Sequence, residues 1–147
     1  MLYFTLLSFF AGIAIVIQAN INSKLGVLLS SSLLATSIAL FGSFIFTSIA
    51  VTFLVKEFPS VEMIRSVPIY LWFTGGVLSA FALASFFFVI PKIGILPMIS
   101  FSLAGQLIYS LISSHYGWFE MPIITINIEK IIGVVSMIIG IFLINKG

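Results

Sequence analysis

The chain has 147 residues, of which 61% are hydrophobic and 7% charged, against roughly half and about a quarter in an ordinary globular domain. Six basic and four acidic side chains cannot cover a water-exposed surface, which takes about 25–35% charged residues, so most of the outside faces lipid; nor do they make the basic patch that nucleic acid requires. With no Cys, no Asp and a single His, the chain lacks disulfides, thiolate chemistry and the usual metal-binding or catalytic constellations, and no cofactor is expected.

A hydrocarbon core of about 30 Å takes about 20 mainly apolar residues per helical crossing, and five such runs appear. The first extends from Leu2 to about Ile17 and leads into the polar stretch Gln18-Ala19-Asn20-Ile21-Asn22-Ser23-Lys24. It lacks the basic start and small-residue cleavage site of a signal peptide and reads as a retained helix. Continued to Leu29 it would measure about 42 Å, too long to span upright, and Gln18 and Asn22, one turn apart, would share a face.

The second run, 33–55, follows Ser30, Ser31 and Ser32, which are candidate N-caps, and closes at Lys56-Glu57-Phe58-Pro59. The third, 68–90, opens on a first-turn proline and is expected to stop at Pro91. The fourth, 95–113, tolerates Pro97 in its first turn. The loop after it carries Tyr116 and Trp118, suited to the headgroup level. The fifth, 128–144, has Asn127 as a cap and Glu129 in its first turn. Strand-sized segments of alternating polarity are absent, which excludes a β-barrel. The expected fold is one all-α integral membrane domain over 1–147 with five transmembrane helices.

Two segments resemble each other, Lys24-Leu25-Gly26-Val27-Leu28-Leu29 and Lys92-Ile93-Gly94-Ile95-Leu96-Pro97, and each precedes a helix with a small-residue centre. They suggest a repeated two-helix unit. The loop charges balance: Lys56, Arg65 and Lys130 fall on one side of the membrane, and Lys24, Lys92 and Lys146 on the other. With no basic excess to choose an orientation, dual insertion and pairing of opposite copies as an antiparallel homodimer are expected.

The fourth run carries a polar stripe of Ser102, Gln106, Tyr109, Ser110 and Ser113 at spacings of three and four. An unpartnered amide in an apolar medium costs several kcal/mol, so Gln106, halfway along, must meet another helix or water. Gln18 and Asn22 add amides, and Trp72 reads as an interfacial anchor before a cavity wall; together they give a candidate solute-binding cavity of Gln18, Asn22, Trp72, Gln106 and Tyr109. Thr36, Ser43 and Thr47 form a second hydroxyl-bearing stripe, of which Ser43 and Thr47 read first as packing residues, because hydroxyls bond back to their own helix. Gly42, Gly76, Ala80, Gly133 and Gly140 suit close helix approach, for packing or dimerisation. His115 and Glu120 read as loop residues. His115 with Ser113 or Ser114 is the one nucleophile–base pairing available, and an enzyme is not expected. No span holds a central charged residue of the kind that marks proton relays.

These pieces together resemble the small five-helix YdcZ-like family of the drug/metabolite transporter superfamily: Gly12 and Ile17 to Gly26, Phe41-Gly42, Trp72-Phe73-Thr74-Gly75-Gly76, Ala104-Gly105-Gln106-Leu107, Ser114-His115-Tyr116-Gly117, and Gly133 with Gly140. The resemblance implies a multi-pass inner-membrane bundle whose halves pack inverted, as two short chains or one fusion, around a cavity open alternately to each side. The acid that the small multidrug exporters carry in their first helix has no equivalent between Leu2 and Ile17. The expected function is movement of a small polar or amphipathic solute, with a homodimer or a homologous chain as partner. The rival is a non-transporting subunit of a larger membrane complex, whose polar groups only satisfy one another.

Overall fold

The computed structural model describes residues 1–146. Among them every regular element is helical: α1 (Leu2–Leu28), α2 (Ser32–Leu54), the short α3 (Val61–Ser66), α4 (Ile69–Ile93), α5 (Ile95–Tyr116) and α6 (Ile128–Ile144), with a 3-10 turn at Trp118–Glu120. Four of them, α1, α2, α4 and α5, are long and apolar enough to cross a membrane. At 17 residues, α6 is at the lower limit for a span. The chain divides into two compact units, Met1–Lys92 and Ile93–Gly147.

In the first unit, α1 packs against α2. No breaker interrupts α1, which runs through the polar stretch to Leu28, the longer of the two lengths considered. It ends in a Schellman motif: Ser30 takes φ 51, the Ser30 N–H donates to the Val27 carbonyl at 3.1 Å and the Ser31 N–H to that of Gly26 at 2.9 Å. The Ser31 hydroxyl then accepts from the Leu34 N–H at 3.2 Å, so one residue closes α1 and caps α2. A small residue is needed where the two helices turn past each other. A Cβ on Gly26 would meet Ser32 Cα at 3.4 Å and Ala35 Cβ at 3.5 Å. Ala19, Ser23 and Gly26, at spacings of four and three, form the buried stripe of α1.

The link after Lys56 and the end of α4 differ from the sequence reading. The link after Lys56 contains α3, capped by Ser60, whose hydroxyl accepts from the Met63 N–H at 3.2 Å. Its six residues are too few to show a period. Pro91 lies inside α4 and does not stop it: proline removes one hydrogen bond of the ladder, but the turn is completed to Ile93. What ends the helix is Gly94, whose φ of 88 and ψ of 164 belong to a region essentially reserved for glycine.

In the second unit, α5 packs against α6. Helix α5 runs a turn further than expected, to Tyr116, and ends at Gly117 in the left-handed region with φ 63, its N–H donating to the Ser113 carbonyl. Asn127 caps α6, accepting from the Lys130 N–H at 3.0 Å. Large apolar side chains such as Phe46 (73% exposed) and Phe53 (82%) point outward, as they do where the surrounding medium is hydrocarbon.

Candidate functional site

The amides of α1 meet. Gln18 and Asn22 are both half-buried, and the Asn22 side-chain N–H donates to Gln18 Oε1 at 2.9 Å. The bond bridges one turn beside the buried Ala19–Ser23–Gly26 stripe. Each amide carries two donors and an acceptor with two lone pairs, so the Gln18 NH2 and the Asn22 oxygen are left without a partner among the described residues. Trp72, in the second turn of α4, is 55% exposed.

Along α5 the polar stripe forms as the spacing predicts. Gln106, near the middle of the helix, donates from Nε2 to Ser102 Oγ at 2.9 Å, and its Oε1 accepts nothing among the described residues. Tyr109, 54% exposed, stands beside Trp118 with ring centroids 6.0 Å apart. The amide pair of α1 and the Gln106–Tyr109 face of α5 belong to separate units.

The hydroxyls behave as expected of back-bonding residues. Thr36 donates to the Ser32 carbonyl at 2.8 Å, Ser43 to that of Ala39 at 2.9 Å and Thr47 to that of Ser43 at 2.7 Å. The glycines Gly42, Gly76, Gly133 and Gly140 have nothing within 4 Å of an added Cβ. They leave open faces within their own units, and Ala80 is half-buried.

Sequence reasoning missed the end of α5. His115, read as a loop residue, lies in the last helical turn, where Nδ1 accepts the Ile126 N–H at 3.2 Å. The Ile124 N–H donates to the Ser114 carbonyl at 2.9 Å, and Lys130 Nζ donates to the Thr125 carbonyl. The segment after Gly117 is thereby folded back onto α5. The reversal at Gly117 brings Trp118 to Tyr109 and Tyr116, a contact between residues nine apart that no helical spacing announces. Ser113 donates its hydroxyl to the Ser110 carbonyl at 3.3 Å.

An open groove of about 460 Å³ between α5 and α6 is lined by Leu107, Ser110, Ser114, Lys130, Gly133 and Met137 among others. In α4, the Lys92 ammonium stands 3.5 Å from the Phe88 ring centroid, a cation–π contact. Among the described residues no three His, Cys, Asp or Glu side chains gather as a metal site would require.

Residues 3–143 match the model of the family described as "Putative inner membrane exporter, YdcZ". The chain belongs to this family, and it is an inner-membrane protein with membrane-spanning helices and a transporter-like role. The family is of a transporter kind rather than an enzymatic one. No curated protein and no solved structure matches the chain significantly.

Proposed function

We propose that the protein exports a small polar or amphipathic solute by alternating access, through a cavity lined by Gln18, Asn22, Trp72, Gln106 and Tyr109. In this reading the chain is one transmembrane domain with α6 as its fifth span. Two copies, or this chain and a homologue, pair antiparallel as a drug/metabolite-transporter-like bundle of inverted halves that rock about the bound solute.

The observation that carries the reading is the half-satisfied state of the amides. Gln18, Asn22 and Gln106 lie on helices of membrane-spanning length, yet each uses only part of its hydrogen-bonding capacity on its own helix. The remaining groups cannot rest in hydrocarbon, and a solute or water in an enclosed space supplies what they need. A few placed amides and aromatics, with no charge, select a ligand by hydrogen bonds and ring faces. The balanced loop charges and the open glycine faces of α2, α4 and α6 suit the pairing of opposite copies.

A thermal-stability screen of purified protein tests this reading, since a ligand at 100 times its Kd stabilises the native state by about 2.7 kcal/mol. A solute that stabilises the wild type should lose its effect in Gln106→Leu while the ligand-free melting temperature stays close to that of the wild type. An undiminished shift in that variant removes Gln106 from the site.

A further inference from the structure

We propose that His115 is a proton-operated latch on the 117–127 loop. The Ile126 N–H donates to Nδ1 at 3.2 Å, which fixes the ring as the neutral tautomer with its hydrogen on Nε2. Protonation would place a second N–H on Nδ1, turned toward the N–H of Ile126. The bond therefore exists only with the neutral imidazole and is lost when Nδ1 takes up a proton. Histidine is the side chain whose charge ordinarily changes between pH 5 and 8, and the proton comes from the water that bathes the loop.

The loop is strained, so releasing it has a consequence. Phe119 and Glu120 take φ 59 and 60, two successive residues in the left-handed region that side chains with a Cβ disfavour. Such a conformation persists only where its surroundings over-determine it, and the surroundings here are few. They are the His115 bond, the Ile124 N–H on the Ser114 carbonyl at 2.9 Å, Lys130 Nζ on the Thr125 carbonyl, and Ile123 against Gly117. Of these ties only the histidine's is broken by adding a proton to the acceptor atom. The charged groups of the packed elements are Glu120 in the loop and Glu129 and Lys130 in the first turn of α6, with the Tyr116 ring edge-on at 5.1 Å. None of them provides the Ile126 N–H with an acceptor.

Trp118 rides on this loop. Its ring stacks on Tyr116, with centroids 6.1 Å apart and an interplanar angle of 17°, and stands 6.0 Å from Tyr109. Opening the latch draws Trp118 from Tyr109. On the reading of Tyr109 as a solute-facing residue, on which this step alone rests, a proton taken up at the end of α5 uncovers one wall of the site, in a chain whose spans hold no central charged residue.

Amide exchange of the full-length protein in lipid nanodiscs, from pH 8 to pH 5 and corrected for intrinsic rates, tests the latch without any solute. Protection of the Ile126 amide should fall about fivefold or more, the worth of one hydrogen bond. It should stay constant in His115→Asn, whose side-chain oxygen accepts without titrating, and be low throughout in His115→Phe. Flat protection in the wild type, or the same fall in His115→Asn, overturns the proposal. Trp118 emission in a Trp72→Phe background should shift with the same midpoint; emission that ignores pH while Ile126 loses protection overturns the link to Tyr109. Neither measurement depends on transport, so a failed solute assay and a failed latch are separate results.

Discussion

Asn22 donates its side-chain N–H to Gln18 Oε1 at 2.9 Å across one turn of α1, an amide pair on a membrane-length helix that satisfies only half of itself. If these amides serve a solute, Asn22→Leu lowers transport by tenfold or more, the roughly 1.4 kcal/mol that one lost hydrogen bond is worth. Its effect on stability should be small, since polar contacts between membrane helices average about 0.6 kcal/mol. If instead they serve only each other, the double replacement Gln18→Leu/Asn22→Leu leaves transport intact. Solute uptake into proteoliposomes and thermal unfolding together distinguish the two outcomes.

Ser30 holds the left-handed position of the α1 Schellman motif at φ 51. A non-glycine residue there costs about 1–2 kcal/mol, whereas glycine loses about 0.5–1 kcal/mol more backbone entropy on folding. Ser30→Gly is therefore expected to stabilise the protein by about 0.5–1 kcal/mol, seen as a higher melting temperature in detergent.

In the second unit the sign reverses. Gly117 has φ 63, and an added Cβ would lie 2.7 Å from Ile123 Cγ1. Gly117→Ala should destabilise by about 2 kcal/mol, from the left-handed strain and the clash together. Because the clash is with one side chain, Gly117→Ala/Ile123→Ala should lose less than the sum of the single changes. A double-mutant cycle on thermal unfolding measures the difference.

Lys56, Arg65 and Lys130 oppose Lys24, Lys92 and Lys146 in the loop charge count. Reporters fused to the C-terminus should give signal from both sides of the membrane, and two lysines added to the 56–68 link should collapse that signal to one side. A reporter seen from a single side in the unaltered protein rejects dual insertion.

What was legible in the sequence is what a local pattern determines. Long apolar runs gave the helices, and the caps Ser31 and Asn127 act as their residue types promise. The i, i+4 spacing put Gln18 against Asn22 and Gln106 against Ser102. What escaped depends on chain reversal or on a choice among breakers. Pro91 looked decisive, yet a proline forfeits one bond, while Gly94 is the residue that can adopt the conformation which ends a helix there. The His115–Ile126 bond joins residues eleven apart through a loop with left-handed residues other than glycine. No periodicity reports such a contact, and the residue types Phe119 and Glu120 argue against the backbone they adopt.

At the far end of α6, Asn145 donates from Nδ2 to the Ile141 carbonyl at 2.7 Å, while its Oδ1 is buried with no hydrogen-bond partner among the described residues. Such an orphaned acceptor costs roughly 1–3 kcal/mol, charged to the final turn alone. That turn should fray before any other part of the helix, and a protease arriving from the adjacent aqueous side would find its first foothold there.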